Sequence, residues 1–145
     1  MGAALTQHPE LFRAVVSHVG IYDMLRVELH PNGAFNVTEF GSVKDLAQFQ
    51  ALLAYSPYHH VKDGTAYPAV FLLTGWNDAR VDPYNSRKMA ARLQAVTSSG
   101  RPVLLRISSG SGHGLDSSLS ERIAQEADGF AFLFDQLGMK YRPER

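Results

Sequence analysis

The chain has 145 residues, enough for one domain, and 45% of them are hydrophobic, so a packed core is expected rather than disorder. Lys and Arg together number 14, as do Asp and Glu, so the formal net charge is zero, and no basic field calls for nucleic acid or an anionic membrane. The absence of cysteine excludes disulfides, thiol nucleophiles and thiolate zinc sites, and no apolar run approaches the roughly 20 residues of a membrane span.

Met1 to Gln7 reads as the tail of a helix, closed before Pro9. It lacks the charged start and long apolar centre of a signal peptide, so a cytoplasmic location is expected unless the natural start lies upstream. Ala14 to Val19 is an apolar run ending at Gly20 and reads as a strand. Ile21 to Phe40 mixes Pro, Asn and Gly with scattered apolar residues, which predicts a loop with little regular structure. Lys44 to Tyr55 carries Leu46, Phe49, Leu52 and Leu53 at helical spacing, and Ser56-Pro57 pairs a cap residue with a first-turn proline for a short helix to about Val61.

The apolar run Ala69 to Thr74 predicts a buried strand. It breaks at Gly75 into a polar loop carrying Asp78 and Arg80. Asp82-Pro83 opens a helix to about Val96, with Met89, Leu93 and Val96 on one face. After a turn over Thr97 to Gly100, Val103 to Ser108 predicts a third strand, which runs into Ser109-Gly110-Ser111-Gly112-His113-Gly114. Ser118 and Glu121 match a capping box for a helix to about Leu137, with Ile123, Ala127, Phe130, Phe134 and Leu137 as its apolar stripe and Gly138 as its stop. Lys140 to Arg145 reads as a polar tail.

Strands alternating with helices imply an α/β fold with a parallel sheet, and right-handed crossovers place the three strands side by side in chain order. Parallel sheets are normally covered on both faces, so three strands with two open edges look like part of a larger sheet.

Chemistry concentrates where strands end. An acid follows the second strand and a histidine follows the third, two members of a Ser-His-Asp hydrolase. Asp78 alone could be a turn residue, Arg80 a surface charge and His113 a loop histidine. Together they suggest an acid that orients an imidazole and a cation that holds a substrate carbonyl or carboxylate. Asp23, just after the first strand, is a rival acid. Gly110, Gly112 and Gly114 fail the dinucleotide fingerprint, because Leu115 stands where its third glycine belongs. His59-His60 reads as a solvated helix end rather than a metal site, since sequence neighbours diverge and no acidic partner has ligand spacing. His8, His18 and His30 form no pattern.

Four segments in order, Tyr55-Ser56-Pro57-Tyr58-His59-His60-Val61-Lys62, Tyr67 to Gly75, Asn77-Asp78-Ala79-Arg80-Val81 and Gly112-His113-Gly114, resemble the catalytic domain of the prolyl oligopeptidase family, as does Gln7-His8-Pro9-Glu10-Leu11-Phe12 ahead of the first strand. The resemblance covers essentially the whole chain. It implies a partial α/β-hydrolase fold, with Asp78 as triad acid, His113 as general base, Arg80 as binder of a substrate carbonyl and Asp23 as a loop residue. It implies a peptide substrate and no metal or organic cofactor.

Two departures matter. The family's nucleophile lies in Gly-x-Ser-x-Gly-Gly at a strand-to-helix elbow, and this sequence contains no Gly-x-Ser-x-Gly. The chain corresponds to the part after that elbow and is expected to be inactive alone. Ala51 stands where proline-specific members carry a tryptophan, leaving Tyr55 and Val81 as pocket walls and proline specificity in doubt. Other readings are a non-catalytic, self-associating module and an esterase or acyl transferase on the same fold. The open edge of the first strand, and the apolar residues of Met1 to Leu5 expected to face solvent, predict a homo-oligomer.

Overall fold

The computed structural model describes residues 1–114 and 117–140, so the polar tail expected after Lys140 lies outside the described residues. Strands β1 (Ala14–His18), β2 (Ala69–Gly75) and β3 (Val103–Ser108) form one parallel sheet in chain order, with Val15 opposite Val70 and Leu72 opposite Leu105. All seven residues of β2 are buried, as a central parallel strand requires, and the expected order holds. Among the described residues β1 pairs on one side only.

Period-2 alternation along β2 divides the core. Val70 and Leu72 face a cluster with Leu5, Tyr22, Tyr67, Met89, Leu93 and Val103, whereas Ala69, Phe71 and Leu73 face Phe132. The first face is covered by α1 (Gly2–Gln7) and α4 (Tyr84–Val96), the second by α5 (Leu119–Gln136). Helix α4 starts as the sequence predicts. Asp82 Oδ1 accepts the Tyr84 N–H at 2.8 Å, and Met89 and Leu93, one turn apart, are both fully buried.

Three expectations are corrected. The segment after β1 is not an unstructured loop: a 3-10 turn spans Val27–Leu29 and α2 spans Gly33–Phe40. Its buried positions are Gly33 and Asn36 while Phe35 is largely exposed, so α2 carries no apolar stripe for a sequence reading to detect. A satellite cluster of Met24, Val27 and Leu52, the last from α3 (Leu46–Tyr55), ties this excursion down. The short helix expected after Ser56 is present as a 3-10 turn, Pro57–His60, with Pro57 at its first position; the Ser56 hydroxyl bonds Met24 N–H and His59 in place of a backbone cap.

The N-terminal helix does not present its apolar residues to solvent. Leu5 is only 1% exposed and sits in the main core, and α1 lies against the Pro57–His60 turn, so exposure falls on Met1. On α5 the expected stripe is the outward one. Ile123 and Phe130 are 60% and 59% exposed, while Phe132 and Leu133 meet the sheet. The helix carries apolar residues on two sides, with Phe132 about 200° around from Phe130, and residue spacing alone cannot tell which side faces the core.

Candidate active site

The loop after β2 and the loop after β3 meet above the end of β2. Trp76 N–H donates to Ser108 O at 2.9 Å and Asn77 N–H to Ser111 O at 3.1 Å. Gly75 makes this contact possible. A Cβ there would stand 2.1 Å from Gly112 O and 2.4 Å from Ser111 O, so any side chain would force the histidine loop away.

The crossing brings Asp78 and His113 together. Asp78 Oδ2 lies 2.8 Å from His113 Nδ1, and the Asp78 side chain is fully buried while that of His113 is 30% exposed. Asp78 Oδ1 accepts the N–H groups of Arg80 at 2.9 Å and Val81 at 2.8 Å. Two backbone amides therefore fix one carboxylate oxygen and aim the other at the imidazole. A carboxylate only accepts, so Nδ1 carries the proton and Nε2 presents a lone pair. An imidazole in that tautomer can take a proton from a hydroxyl and return it to a leaving group.

The remaining sequence candidates are distributed unevenly. Arg80 is exposed beside the acid, and its guanidinium makes no hydrogen bond among the described residues. Val81 is half-buried and tied to Asp78 through its amide. Tyr55 ends α3 and is 39% exposed, and no hydrogen bond or ring contact links it to Asp78, Arg80 or His113 among the described residues. Burial, then the charge of Glu39, pushes its phenol above the usual value. Ala51 is exposed on α3.

Asp23 is committed elsewhere. Its buried carboxylate pairs with Lys88 and, at 3.3 Å, with Arg26. Burial raises its affinity for protons, but the hydrogen bond and charge of Lys88, with His59 and Arg26, outweigh that and hold the carboxyl below its ordinary range. Ser56, His59 and Asp23 also lie together, but not as a triad. Ser56 Oγ and Asp23 Oδ1 approach the same nitrogen, His59 Nδ1, at 2.8 and 3.8 Å, and Ser56 is fully buried with its hydroxyl accepting Met24 N–H. A relay needs the serine on one ring nitrogen and the acid on the other. No group of three or more metal-ligating side chains occurs among the described residues.

Sequence reasoning missed three features of this site. Val19, a β-branched residue just past β1, has φ of 43°, in the left-handed region, while its N–H still pairs with Leu73 O at 2.8 Å. It lines a cavity of about 70 Å³ beneath His113, together with His18, Thr74 and Gln125. A second cavity of about 420 Å³ shares His18, Gly114 and Gln125 and runs along α5 past Ile123. The polar cluster under the histidine loop, centred on Ser108 and Glu121, is the third. Its one sequence signal is Glu121, whose spacing from Ser118 fits the return half of a capping box. Ser118 Oγ does accept Glu121 N–H at 3.2 Å, but the Glu121 carboxylate turns to Ser108 and Arg106 instead.

Parallel strands with an acid after one and a histidine after the next follow the chain order of α/β hydrolases. Residues 1–140 match the model of the prolyl oligopeptidase family, and the chain belongs to that family. It is 37% identical over 141 residues to a prolyl endopeptidase of Elizabethkingia meningoseptica, covering 97% of this chain and 20% of that protein. A solved prolyl endopeptidase superposes with a TM-score of 0.92 at 39% identity, over 96% of this chain and 20% of its own. Prolyl oligopeptidase B from Galerina marginata, solved as a mutant bound to a 35-residue hydrolysis and macrocyclization substrate, gives 0.90 at 26% identity over 98% of this chain and 20% of its own. The chain thus spans about a fifth of the length of the relatives it matches. No helix among the described residues is long and apolar enough to cross a membrane.

Proposed function

We propose that this chain is the acid- and base-bearing part of a serine peptidase catalytic domain, working with a serine that lies outside residues 1–145. The observation that carries this reading is the Asp78–His113 hydrogen bond at 2.8 Å, with the second acid oxygen pinned by two amides. In the reaction, His113 Nε2 takes the proton of the serine hydroxyl as its oxygen bonds to the substrate carbonyl carbon. Asp78 stabilises the imidazolium and fixes its orientation. His113 then gives the proton to the leaving amine as the C–N bond breaks, and water repeats the cycle on the acyl-enzyme. Arg80, exposed and without a guanidinium partner among the described residues, holds a substrate carbonyl, and Val81 and Tyr55 line the pocket. The substrate class is peptides, in keeping with the names of the relatives.

The test has two arms. The 145-residue chain alone should not be labelled by a serine-directed fluorophosphonate. The full-length protein should be labelled, and Asp78→Asn should lower its kcat by about 10⁴, because an amide in place of Oδ2 favours the wrong tautomer. Stoichiometric labelling of a serine in the chain itself, or a full-length Asp78→Asn variant of normal kcat, overturns the reading. Hydrolysis of esters but not peptides by the full-length protein would move it to the esterase class.

We also propose that the isolated chain self-associates through the free edge of β1 and the outer stripe of α5. Ile123 lines one cavity and Val16, Phe130 and Leu133 a second, the two sharing His18 and Glu126, and a second copy offers the same strand edge for pairing.

A further inference from the structure

The N-terminal half of α5 follows the histidine loop, and among the described residues it contributes no buried side chain to the core. The buried residues of α5 are Gly129 and Phe132, both in its second half, whereas Leu119 and Ile123 face outward. Four polar side chains tie the first half to the sheet. Ser108 Oγ, on the last residue of β3, donates to Glu121 Oε1 at 2.5 Å and accepts from Gln125 Nε2 at 2.8 Å. Arg106, two residues earlier on β3, bonds the same Glu121 oxygen at 3.0 Å and pairs with Asp128. The bonds to Ser108 and then Arg106 hold the Glu121 carboxyl below its ordinary range, so it accepts as an anion at neutral pH.

We propose that Ser108, Glu121 and Gln125 are positioning residues for the general base: they clamp together the two ends of the loop that carries His113. The geometry gives the reason. Ser108 directly precedes the loop, Glu121 lies in the first turn of the helix that follows it, and one hydroxyl and one carboxylate oxygen join the two. Gln125 also lines the same cavity of about 70 Å³ as His113, which places the clamp next to the imidazole's surroundings. With the clamp intact, the loop stays pressed on Gly75 and the Nδ1–H of His113 stays on Asp78. With the clamp broken, the apolar contacts of Phe132 and Leu133 still seat α5 on the sheet while its first half swings free.

This inference rests on the reading of His113 as a base, and the experiment separates the two. The full 145-residue chain, ¹⁵N-labelled, is followed by NMR through the low-field His113 Nδ1 proton and through amide exchange of residues 109–114. Glu121→Gln and Ser108→Ala should broaden or abolish the Nδ1 resonance and speed loop exchange by roughly tenfold or more, the order expected when a hydrogen bond to a charged group is lost from a local opening equilibrium. Ser108→Thr, which keeps the hydroxyl, should restore both. Leu93→Ala, which weakens the core on the opposite face, should lower the melting temperature and leave the resonance in place. Unchanged exchange and an unchanged Nδ1 signal in Glu121→Gln and Ser108→Ala would overturn the clamp, as would equal loss of that signal in Leu93→Ala. If the parent chain itself lacks the Nδ1 proton, the base assignment fails, and loop exchange in the same variants still decides whether the clamp exists.

Discussion

Replacing Lys88 by methionine isolates the buried ion pair that anchors the loop after β1. The Asp23 side chain is 1% exposed and that of Lys88 15%, and the lysine also sits 3.9 Å from the Tyr58 ring centre. The pair joins a loop to α4 at a point where Asn85 Oδ1 already receives the N–H groups of Tyr22 and Asp23 at 3.1 and 3.3 Å. Removing one partner of a buried pair costs about 3–5 kcal/mol, because the other charge stays buried. Two contacts soften the loss here. Leu25 N–H remains on Asp23 Oδ1 at 3.2 Å, and Arg26 remains at 3.3 Å, although its side chain is 53% exposed and such a bridge contributes only about 0–1 kcal/mol. The expected destabilisation is therefore about 3 kcal/mol, a large part of the roughly 5–15 kcal/mol of a domain. Urea titration by far-ultraviolet circular dichroism at fixed protein concentration measures it. The double variant with Asp23→Asn removes both charges and should recover about half of the loss.

Proton linkage provides an independent check on the same pair. Burial, with help from Lys88, Arg26 and His60, holds the His59 imidazole below its ordinary range, against the pull of Asp23. Removing Lys88 takes away one of the charges that oppose protonation, so His59 protonates more readily beside Asp23, 3.8 Å away, while burial still disfavours the charged ring. The Lys88→Met deficit should then shrink on going from about pH 7.5 to about pH 5.5, across the ordinary histidine range. A loss below about 1 kcal/mol, or a double variant as weak as the sum of the singles, would refute the reasoning.

The isolated chain should run as a dimer or higher oligomer by size exclusion with light scattering at micromolar concentration, and Ile123→Asp with Phe130→Asp should shift it toward monomer, since burying a phenylalanine contributes about 1.5–3 kcal/mol. A monodisperse 16.0 kDa species would contradict this. In the full-length protein, Ala51→Trp should raise selectivity for cleavage after proline over alanine by several-fold to about tenfold, as aromatic stacking adds ~0.5–1.5 kcal/mol and each 1.4 kcal/mol is tenfold. A parent enzyme already strongly selective for proline would sink that idea. Acid should unfold the chain in two stages. The folded His59 binds protons less readily than the unfolded one, so stability begins to fall below about pH 6.5; the folded Asp23 carboxyl is also depressed, so its contribution is lost as pH drops from about 4 through its folded value. Circular dichroism against pH that stays flat to about pH 3 would refute both signs.

The sequence by itself determined the parallel sheet and the strand ends on which chemistry is carried. Ala69 to Thr74 is apolar at every position but its last, which only a doubly covered central strand tolerates, and Gly75 and the Gly112-His113-Gly114 stretch marked the places where the chain leaves the sheet. It also supplied Asp78, Arg80 and His113 as the residues worth joining, and the family resemblance with them. Only the tertiary structure decided how they are joined. That Asp78 takes His113 while Asp23 takes Lys88 depends on bringing together residues 35 and 65 positions apart in the chain, one pair between two loops and one between a loop and α4, and no local pattern records that. The same holds for α5. Its apolar residues on either side have equal standing in a 3.6-residue period, and only the packed sheet shows that Phe132 is buried while Phe130 is left 59% exposed. Glu121 itself fits a capping box by spacing, yet a carboxylate within reach of a guanidinium and a hydroxyl gains more from those charge-assisted bonds than from a solvent-exposed backbone amide, a competition that exists only once β3 and α5 are side by side.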